Sequence, residues 1–120
     1  MADRVLFVSW GEVVRGREVA ALENFNETIG LYGRLQQEGR IEGFDVVLLD
    51  PSMDIAGYMA IHLSSAQLAA LKEDPEFRAN LYSGSLIVDN LKMADGYTNE
   101  GIAKEMEMYQ EAISKVPQSA

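Results

Sequence analysis

The side chains best suited to chemistry are a histidine and a tyrosine four residues apart. His62 is the only histidine of the chain, and imidazole is the side chain whose ordinary pKa lies nearest neutrality. Side chains alternate along a strand, so Tyr58 and His62 share one face of the segment that contains them. Together they could form a catalytic pair in which His62 is a general base, or His62 could ligate haem. The alternative, which is commoner for a lone histidine, is a partly buried structural histidine with a hydrogen-bond partner at the dimer interface.

Three further residues are candidates for a ligand-binding site. Asp95 and Tyr97 share a strand face by the same alternation, and with His62 they could form a proton-transfer group. The Asp95-Gly96 pair is also typical of a turn or a bulge. Trp10 ends an apolar segment and could line the mouth of a pocket, although an aromatic residue in a strand more often belongs to the core.

Composition argues against several classes of function. The 120 residues carry 19 acidic and 10 basic side chains, a net charge of −9, and the basic residues are scattered, which disfavours nucleic-acid binding. Without cysteine, zinc–thiolate and iron–sulfur sites cannot form. The spacing of Asp50 and Asp54 resembles the start of a calcium loop, but Ile55 and Ile61 occupy the positions that need glycine and glutamate. We therefore expect no metal and no cofactor.

The location of the protein is predicted from the same features. The segment Met1–Arg4 leads directly into an apolar strand without the pattern of a signal peptide, and no apolar run reaches membrane-spanning length. A chain without cysteine is compatible with a reducing cytosol. We expect a cytoplasmic protein with one domain over residues 1–120, an ordered core at about residues 4–116, and a disordered tail from Pro117 to Ala120.

The first half of the chain reads as a strand, a helix and two strands. The run 5–10 is rich in β-forming residues and is followed by a loop over 11–16. A helix is predicted from Glu18 to a stop at Gly39. Strands are predicted at 44–49 and 57–63, separated by a turn at Asp50-Pro51-Ser52, and the short connection favours antiparallel pairing. The apolar stripe of the helix consists of Val19, Leu22, Phe25, Ile29 and Tyr32.

The second half supplies helices, a strand and a last helix. Ser64 and Gln67 have the spacing of a capping box, which predicts a helix from Ser65. Asp74-Pro75 predicts a second helical start, since Asp is a favourable N-cap and Pro fits the first helical position. The run 86–88 is ambiguous between helix and strand, and a strand follows at 91–97. Thr98 or Asn99 is expected to cap a last helix, whose stripe consists of Ile102, Met106, Tyr109 and Ile113.

This order predicts an α+β fold. A βαββαβ series forms a ferredoxin-like antiparallel sheet with helices on one face, here followed by a C-terminal helix. The first two strands are apolar on both faces, so the uncovered face calls for a second subunit. The chain resembles the dimeric α/β-barrel superfamily in this order and in the segment 74–78, and it resembles uncharacterised bacterial proteins in the segment 32–42. The superfamily includes cofactor-free monooxygenases, isomerases, haem-degrading relatives and members without known activity.

Three functions remain open at the level of sequence. The first is a homodimeric accessory protein that holds a small apolar ligand between sheet and helices. The second is a cofactor-independent monooxygenase or isomerase in which His62 or Tyr58 removes a proton, with His62 projecting into that cavity. The third is a structural dimer without a ligand. The sequence does not separate them, because fold-level resemblance says little about chemistry.

Overall fold

Eight elements follow one another in the computed structural model, which describes residues 2–50 and 54–117. The predicted order of strands and helices is confirmed, and most boundaries agree within one residue. The turn predicted at Pro51 and Ser52, and most of the tail, lie outside the described residues. The elements are β1 (Arg4–Trp10), α1 (Glu18–Gln37), β2 (Gly43–Leu48), β3 (Gly57–Leu63), α2 (Ser65–Glu73), α3 (Pro75–Ser85), β4 (Lys92–Tyr97) and α4 (Glu100–Ser114).

The strands form one antiparallel sheet in the order β2-β3-β1-β4. The fold is therefore ferredoxin-like, with β1 and β3 in the centre. Trp10 pairs with Gly57 at one end of the central pair, and Arg4 pairs with Leu63 at the other. The run at 86–88 contributes only a single bridge, between Val13 and Val88. This short bridge ties the loop after β1 to the segment that follows α3.

Local signals account for the helix boundaries. Ser64 Oγ accepts a hydrogen bond from Gln67 N at 3.2 Å, and Gln67 Oε1 accepts one from Ser64 N at 2.8 Å, so the predicted capping box is present. Asp74 Oδ2 accepts a hydrogen bond from Phe77 N at 2.8 Å and caps α3. Gly39 has φ +74°, which an L-residue adopts only with strain, and it ends α1 as predicted.

The core lies between the sheet and α1, α2 and α3. Alternate residues of β3 are buried, namely Gly57, Met59, Ile61 and Leu63. Tyr32 and Phe77 are fully buried, and their ring centroids lie 6.2 Å apart between α1 and α3. The prediction that the apolar stripe of α1 is buried is only partly correct. Tyr32 is buried and Phe25 and Ile29 are half-buried, whereas Val19 and Leu22 are 73% and 64% exposed.

The opposite face of the sheet carries no helix from α1, α2 or α3. Phe7 and Tyr58 lie in contact there, with ring centroids 5.1 Å apart. The strand register places Ala60 and Ala94 on either side of Phe7 on this face. We call this surface the open face. Its centre is apolar, as the two-sided apolar pattern of the first strand predicted, whereas the second strand contributes Asp45 to this face.

Helix α4 extends away from the rest of the molecule. Only Gly101 is buried, and a Cβ at that position would lie 2.3 Å from the carbonyl oxygen of Asp3. Asn99 is the N-cap residue of α4, as predicted, but its side chain makes no capping hydrogen bond and instead donates to the carbonyl oxygen of Ala2 at 2.7 Å. All four residues of the predicted stripe are exposed, from 37% for Ile113 to 63% for Tyr109.

Candidate functional site

A cavity of about 360 Å³ lies between the helix-covered face of the sheet and helices α1 and α3. It opens beside the first half of α1, which explains why the apolar residues of that half are not in the core. Most of its lining is apolar. The lining residues are Val8, Trp10, Val13, Glu18, Ala21, Leu22, Asn24, Phe25, Thr28, Tyr32, Leu48, Met59, Asn80, Leu81, Gly84, Ile87, Val88 and Leu91.

Trp10 forms part of the wall at the end of β1. Its ring lies 6.2 Å from that of Phe25 in an edge-to-face arrangement, which links the sheet to α1. Gly57 is required on the neighbouring strand, because a Cβ there would lie 2.7 Å from Trp10 Cζ2 and 2.7 Å from the carbonyl oxygen of Val47. The glycine therefore makes space for the indole. Trp10 lines the cavity, as the sequence suggested, although its role in binding stays a proposal.

Polar side chains along one wall of the cavity are linked by hydrogen bonds. Asn80 Nδ2 on α3 donates to Thr28 Oγ1 at 3.0 Å, and that hydroxyl donates to the carbonyl oxygen of Asn24 at 2.7 Å. Thr28 is only 7% exposed, so these bonds satisfy its hydroxyl within an apolar setting. These hydrogen bonds join α1 to α3 and place the Asn80 amide at the surface of the cavity.

Tyr32 lies at the inner end of the cavity. It is 1% exposed, and burial raises the pKa of its phenol well above the ordinary value, because the surroundings disfavour a phenolate. Tyr32 therefore stays neutral and can only act there as a hydroxyl group. Its ring also meets that of Phe44 edge to face, with centroids 5.6 Å apart.

His62 is not part of this cavity. It lies with Tyr58 on the open face, so the expectation that His62 projects into a cavity between sheet and helices is wrong. It does have a carboxylate partner, because Asp45 Oδ2 lies 2.7 Å from His62 Nε2. The two side chains are 37% and 67% exposed. The register of β2 and β3 explains the pair, since Gly43 lies opposite His62 and Asp45 opposite Ala60, a diagonal on one face.

Asp95 and Tyr97 are separated from His62. Their partners in the register are Leu6 and Arg4, which places both on the helix-covered face. Asp95 forms an ion pair with Lys72 of α2, and Arg4 lies 4.2 Å above the Tyr97 ring. The Tyr–His–Asp group suggested by alternation does not form, because β3 and β4 present these side chains to opposite sides of the sheet.

A metal site is not evident in the described residues, among which no three His, Asp or Glu side chains cluster closely enough to hold an ion. None of the helices in residues 2–50 and 54–117 has the length and apolar character needed to cross a bilayer.

Sequence reasoning missed three of the residues that define these sites. Asp45 is a lone acid in the apolar segment Phe44–Leu48, a signal that could have been used together with the predicted antiparallel pairing. Thr28 and Asn80 are 52 residues apart, and nothing in their local sequence indicates their contact.

Comparison with known proteins shows a shared fold and no family. No protein-family model matches the chain, and no curated protein does. Among solved structures, it is similar to a dimeric protein of unknown function and ferredoxin-like fold from Bacteroides fragilis NCTC 9343. That match has a TM-score of 0.58 and 12% identity, and it covers 79% of this chain and 96% of the other.

A second match is SnoaB, a cofactor-independent oxygenase from Streptomyces nogalater, with a TM-score of 0.49 and 19% identity. It covers 82% of this chain and 93% of that protein. The Bacteroides match shows that the chain has a ferredoxin-like α+β fold, as its element order predicted. At this level of identity, activity does not transfer between proteins that share a fold.

Proposed function

We propose that this protein is a homodimer that binds a small, largely apolar molecule in the cavity between α1, α3 and the sheet. The observation that carries the proposal is the cavity itself, whose volume of about 360 Å³ lies within the range of about 300–1,000 Å³ typical of ligand pockets. The expectation of a cytoplasmic location remains part of the proposal.

The hydrogen-bonded polar side chains on one wall of the cavity favour a ligand with a single polar group. Ligand pockets combine apolar walls with a few placed polar groups that set orientation. Here Asn80 and Thr28 stand opposite a wall that includes Trp10 and Met59 of the sheet. An aromatic or alicyclic body would pack between the walls, and a hydroxyl or carbonyl group would reach the Asn80 amide.

Two observations support the dimer. The centre of the open face is apolar, with Phe7 and Tyr58 in contact, and α1, α2 and α3 do not cover it. The Bacteroides protein of similar fold is described as dimeric. A second copy packed on this face would bury these side chains and complete a barrel of two sheets.

A neutral fluorescent dye tests the binding site. N-phenylnaphthylamine brightens in apolar surroundings, and titration should give saturable fluorescence with one site per chain. Gly84 lines the cavity, and a Cβ there would lie 3.7 Å from Asn24 Oδ1 and 3.8 Å from Leu91 Cδ2. Gly84→Leu should fill the cavity and weaken the dye at least about tenfold, a loss of about 1.4 kcal/mol.

Gly30→Leu is the matched control. Gly30 also lies in a helix, but nothing lies within 4 Å of a Cβ built there, and the residue is exposed. This variant should bind the dye as the wild type does. Absence of saturable binding to the wild type, or equal binding by both variants, would contradict the proposed site and favour a structural dimer without a ligand.

A second candidate function, proton transfer, has one specific observation in its favour. The 2.7 Å contact between Asp45 and His62 supplies an orienting carboxylate. With Nε2–H donated to Asp45, the lone pair of His62 Nδ1 could accept a proton from an activated carbon, and Tyr58 lies on the same face. The reaction would be that of a cofactor-independent isomerase or monooxygenase, located on the open face rather than in the cavity.

Solvent deuterium exchange into acetylacetone tests this candidate, because exchange requires abstraction of a carbon-bound proton. His62→Gln and Asp45→Asn should each slow any exchange that the protein catalyses by about 10²-fold or more. Asp95→Asn is the control, since Asp95 lies on the other face. Exchange that survives His62→Gln would exclude His62 as the base.

A further inference from the structure

One carboxylate, that of Glu18, forms part of the cavity wall. Among the described residues that line the cavity, Glu18 is the only one with a charged side chain, and none is Lys, Arg or His. A wall with one carboxylate and no cation attracts an ammonium group and repels an anion. The lining therefore discriminates between ligands of the same shape by their charge.

The helical phase of α1 turns Glu18 towards the cavity. Residues three, four and seven positions apart lie on one face of a helix, and at these steps Glu18 is followed by three lining residues, Ala21, Leu22 and Phe25. Glu18 thus occupies a position in a row that is otherwise apolar over the first two turns. An acid that served only to favour the start of α1 could lie on any face of the first turn.

The charge of Glu18 is not balanced by an ion pair. No salt bridge joins Glu18 to another side chain within residues 2–50 and 54–117. Arg17 precedes it but does not line the cavity, and its Nη1 donates to the carbonyl oxygen of Leu86 at 3.2 Å. Glu18 Oε1 accepts a hydrogen bond from Gly16 N at 3.0 Å, a neutral donor. A cation on a ligand can therefore pair with this carboxylate.

Glu18 and the hydrogen-bonded pair of Thr28 and Asn80 lie at different depths. Ten residues separate Glu18 from Thr28 on α1, which corresponds to about 15 Å along the helix axis. Glu18 is exposed at the opening, whereas Thr28 is buried. The wall between them is apolar and includes Leu22 and Phe25. This order matches a ligand with an apolar body and a charged group at its outer end.

We propose that the cavity selects ligands that carry an amine at the outer end of an apolar body, and that Glu18 determines this preference. The inference rests on the proposed function, since it names the ligand class of the same cavity. The ammonium group pairs with Glu18 at the opening while the apolar body fills the interior. A carboxylic acid of the same shape binds less tightly, because the described lining offers no cation and the chain has a net charge of −9.

Three decyl compounds that differ only in their head groups test the preference. Decylamine is a cation at pH 7, decanol is neutral and decanoate is an anion. Each is titrated below its micellar concentration against N-phenylnaphthylamine bound to the wild type. Decylamine should bind at least about threefold more tightly than decanol, and decanol more tightly than decanoate. The factor is modest because Glu18 is exposed and water weakens the pair.

Substitutions at Glu18 and Glu23 form a matched set. Glu18→Gln keeps an oxygen for Gly16 N but removes the charge, so decylamine should lose its advantage while the affinity for decanol changes less than about twofold. Glu18→Lys should reverse the order and favour decanoate over decylamine. Glu23 is exposed on α1, lies about 140° around the helix from Glu18 and does not line the cavity. Glu23→Gln and Glu23→Lys should keep the wild-type order. Far-UV circular dichroism checks that all four variants fold.

The outcomes separate this inference from the proposed function. If the wild type binds no N-phenylnaphthylamine, the proposed function fails first and the inference fails with it. If the dye binds but decylamine and decanol compete equally, the cavity stands and the selection by charge is overturned. A preference that survives Glu18→Gln, or that Glu23→Gln removes to the same extent, would also overturn the role of Glu18.

Salt gives a second readout that needs no variant. Ions screen the attraction between an exposed carboxylate and an ammonium group, but they do not weaken the burial of a decyl chain. Raising the sodium chloride concentration to about 0.5 M should therefore reduce the advantage of decylamine over decanol. An advantage that salt leaves unchanged would show that the head group does not pair with Glu18, and would overturn the inference.

Discussion

Asp74 joins two elements through one carboxylate. Oδ2 accepts the hydrogen bond that caps α3, and Oδ1 accepts a hydrogen bond from Arg40 Nη2 at 2.7 Å. The hydrogen bond from Arg40, followed by that from the Phe77 amide, lowers the pKa of the Asp74 carboxyl. This residue therefore couples the end of α1 to the start of α3, the two helices that hold the cavity.

A pH dependence of stability follows from Asp74. Its pKa is lower in the folded state than the ordinary value of 3.8, so its stabilisation is present above that value and is lost as pH falls through the folded pKa. Urea unfolding should show the wild type losing stability below about pH 5 more steeply than Asp74→Asn, which keeps a capping oxygen but not the charge. Parallel pH profiles would contradict this assignment.

At the scale of elements, α1 has two different halves. Its C-terminal half is part of the core, where Leu35 is 1% exposed, and its N-terminal half forms one wall and the rim of the cavity. The uniform apolar stripe in the sequence hides this division. A cavity wall and a core-packing surface thus share one helix face.

Substitutions along α1 should show a gradient in the free energy of unfolding. Leu35→Ala should cost about 2–5 kcal/mol, because the core loses a fully buried side chain. Phe25→Ala and Ile29→Ala should cost less than Leu35→Ala, since both residues are half-buried and Phe25 borders a cavity. Glu27→Ala, an exposed change, should stay within about 0.5 kcal/mol. Urea denaturation at constant m-value measures all four, and equal costs would mean that the helical phase is wrong.

At the scale of the whole molecule, the open face of the sheet is an apolar surface that α1, α2 and α3 leave uncovered. The helices α1, α2 and α3 cover only one side of the sheet, and α4 extends outward to give dimensions of 56 × 36 × 23 Å. The proposed dimer would cover this face on both copies, because one two-fold operation packs the same surface of each chain against the other.

The proposed dimer leads to a measurable prediction. Sedimentation at micromolar concentration should report about 27 kDa, twice the chain mass of 13.3 kDa. Ala94→Lys places a charge on the open face opposite Phe7 and should shift the protein towards monomer, because the ammonium would be buried without a partner. Asn26→Lys, an exposed change of equal charge on α1, should leave the mass unchanged. A wild-type protein that sediments as a stable monomer would refute the dimer.

The sequence alone determined the elements, their order and the fold that follows from them. The capping box at Ser64, the Asp74-Pro75 start and the stop at Gly39 act within a few residues, so local spacing is enough to identify them. Alternation along β3 also placed Tyr58 and His62 on one face, because a strand leaves each side chain only two directions.

Tertiary structure alone decided where ligands and partners could bind. The cavity lies between the first half of α1, α3 and the sheet, and its lining comes from elements far apart in the sequence, such as Trp10 of β1 and Asn80 of α3. The pairs Asp45–His62 and Thr28–Asn80 depend on register and on helix packing across 17 and 52 residues. The exposure of the α4 stripe depends on where that helix leads, since periodicity identifies an apolar face but not the surface that covers it.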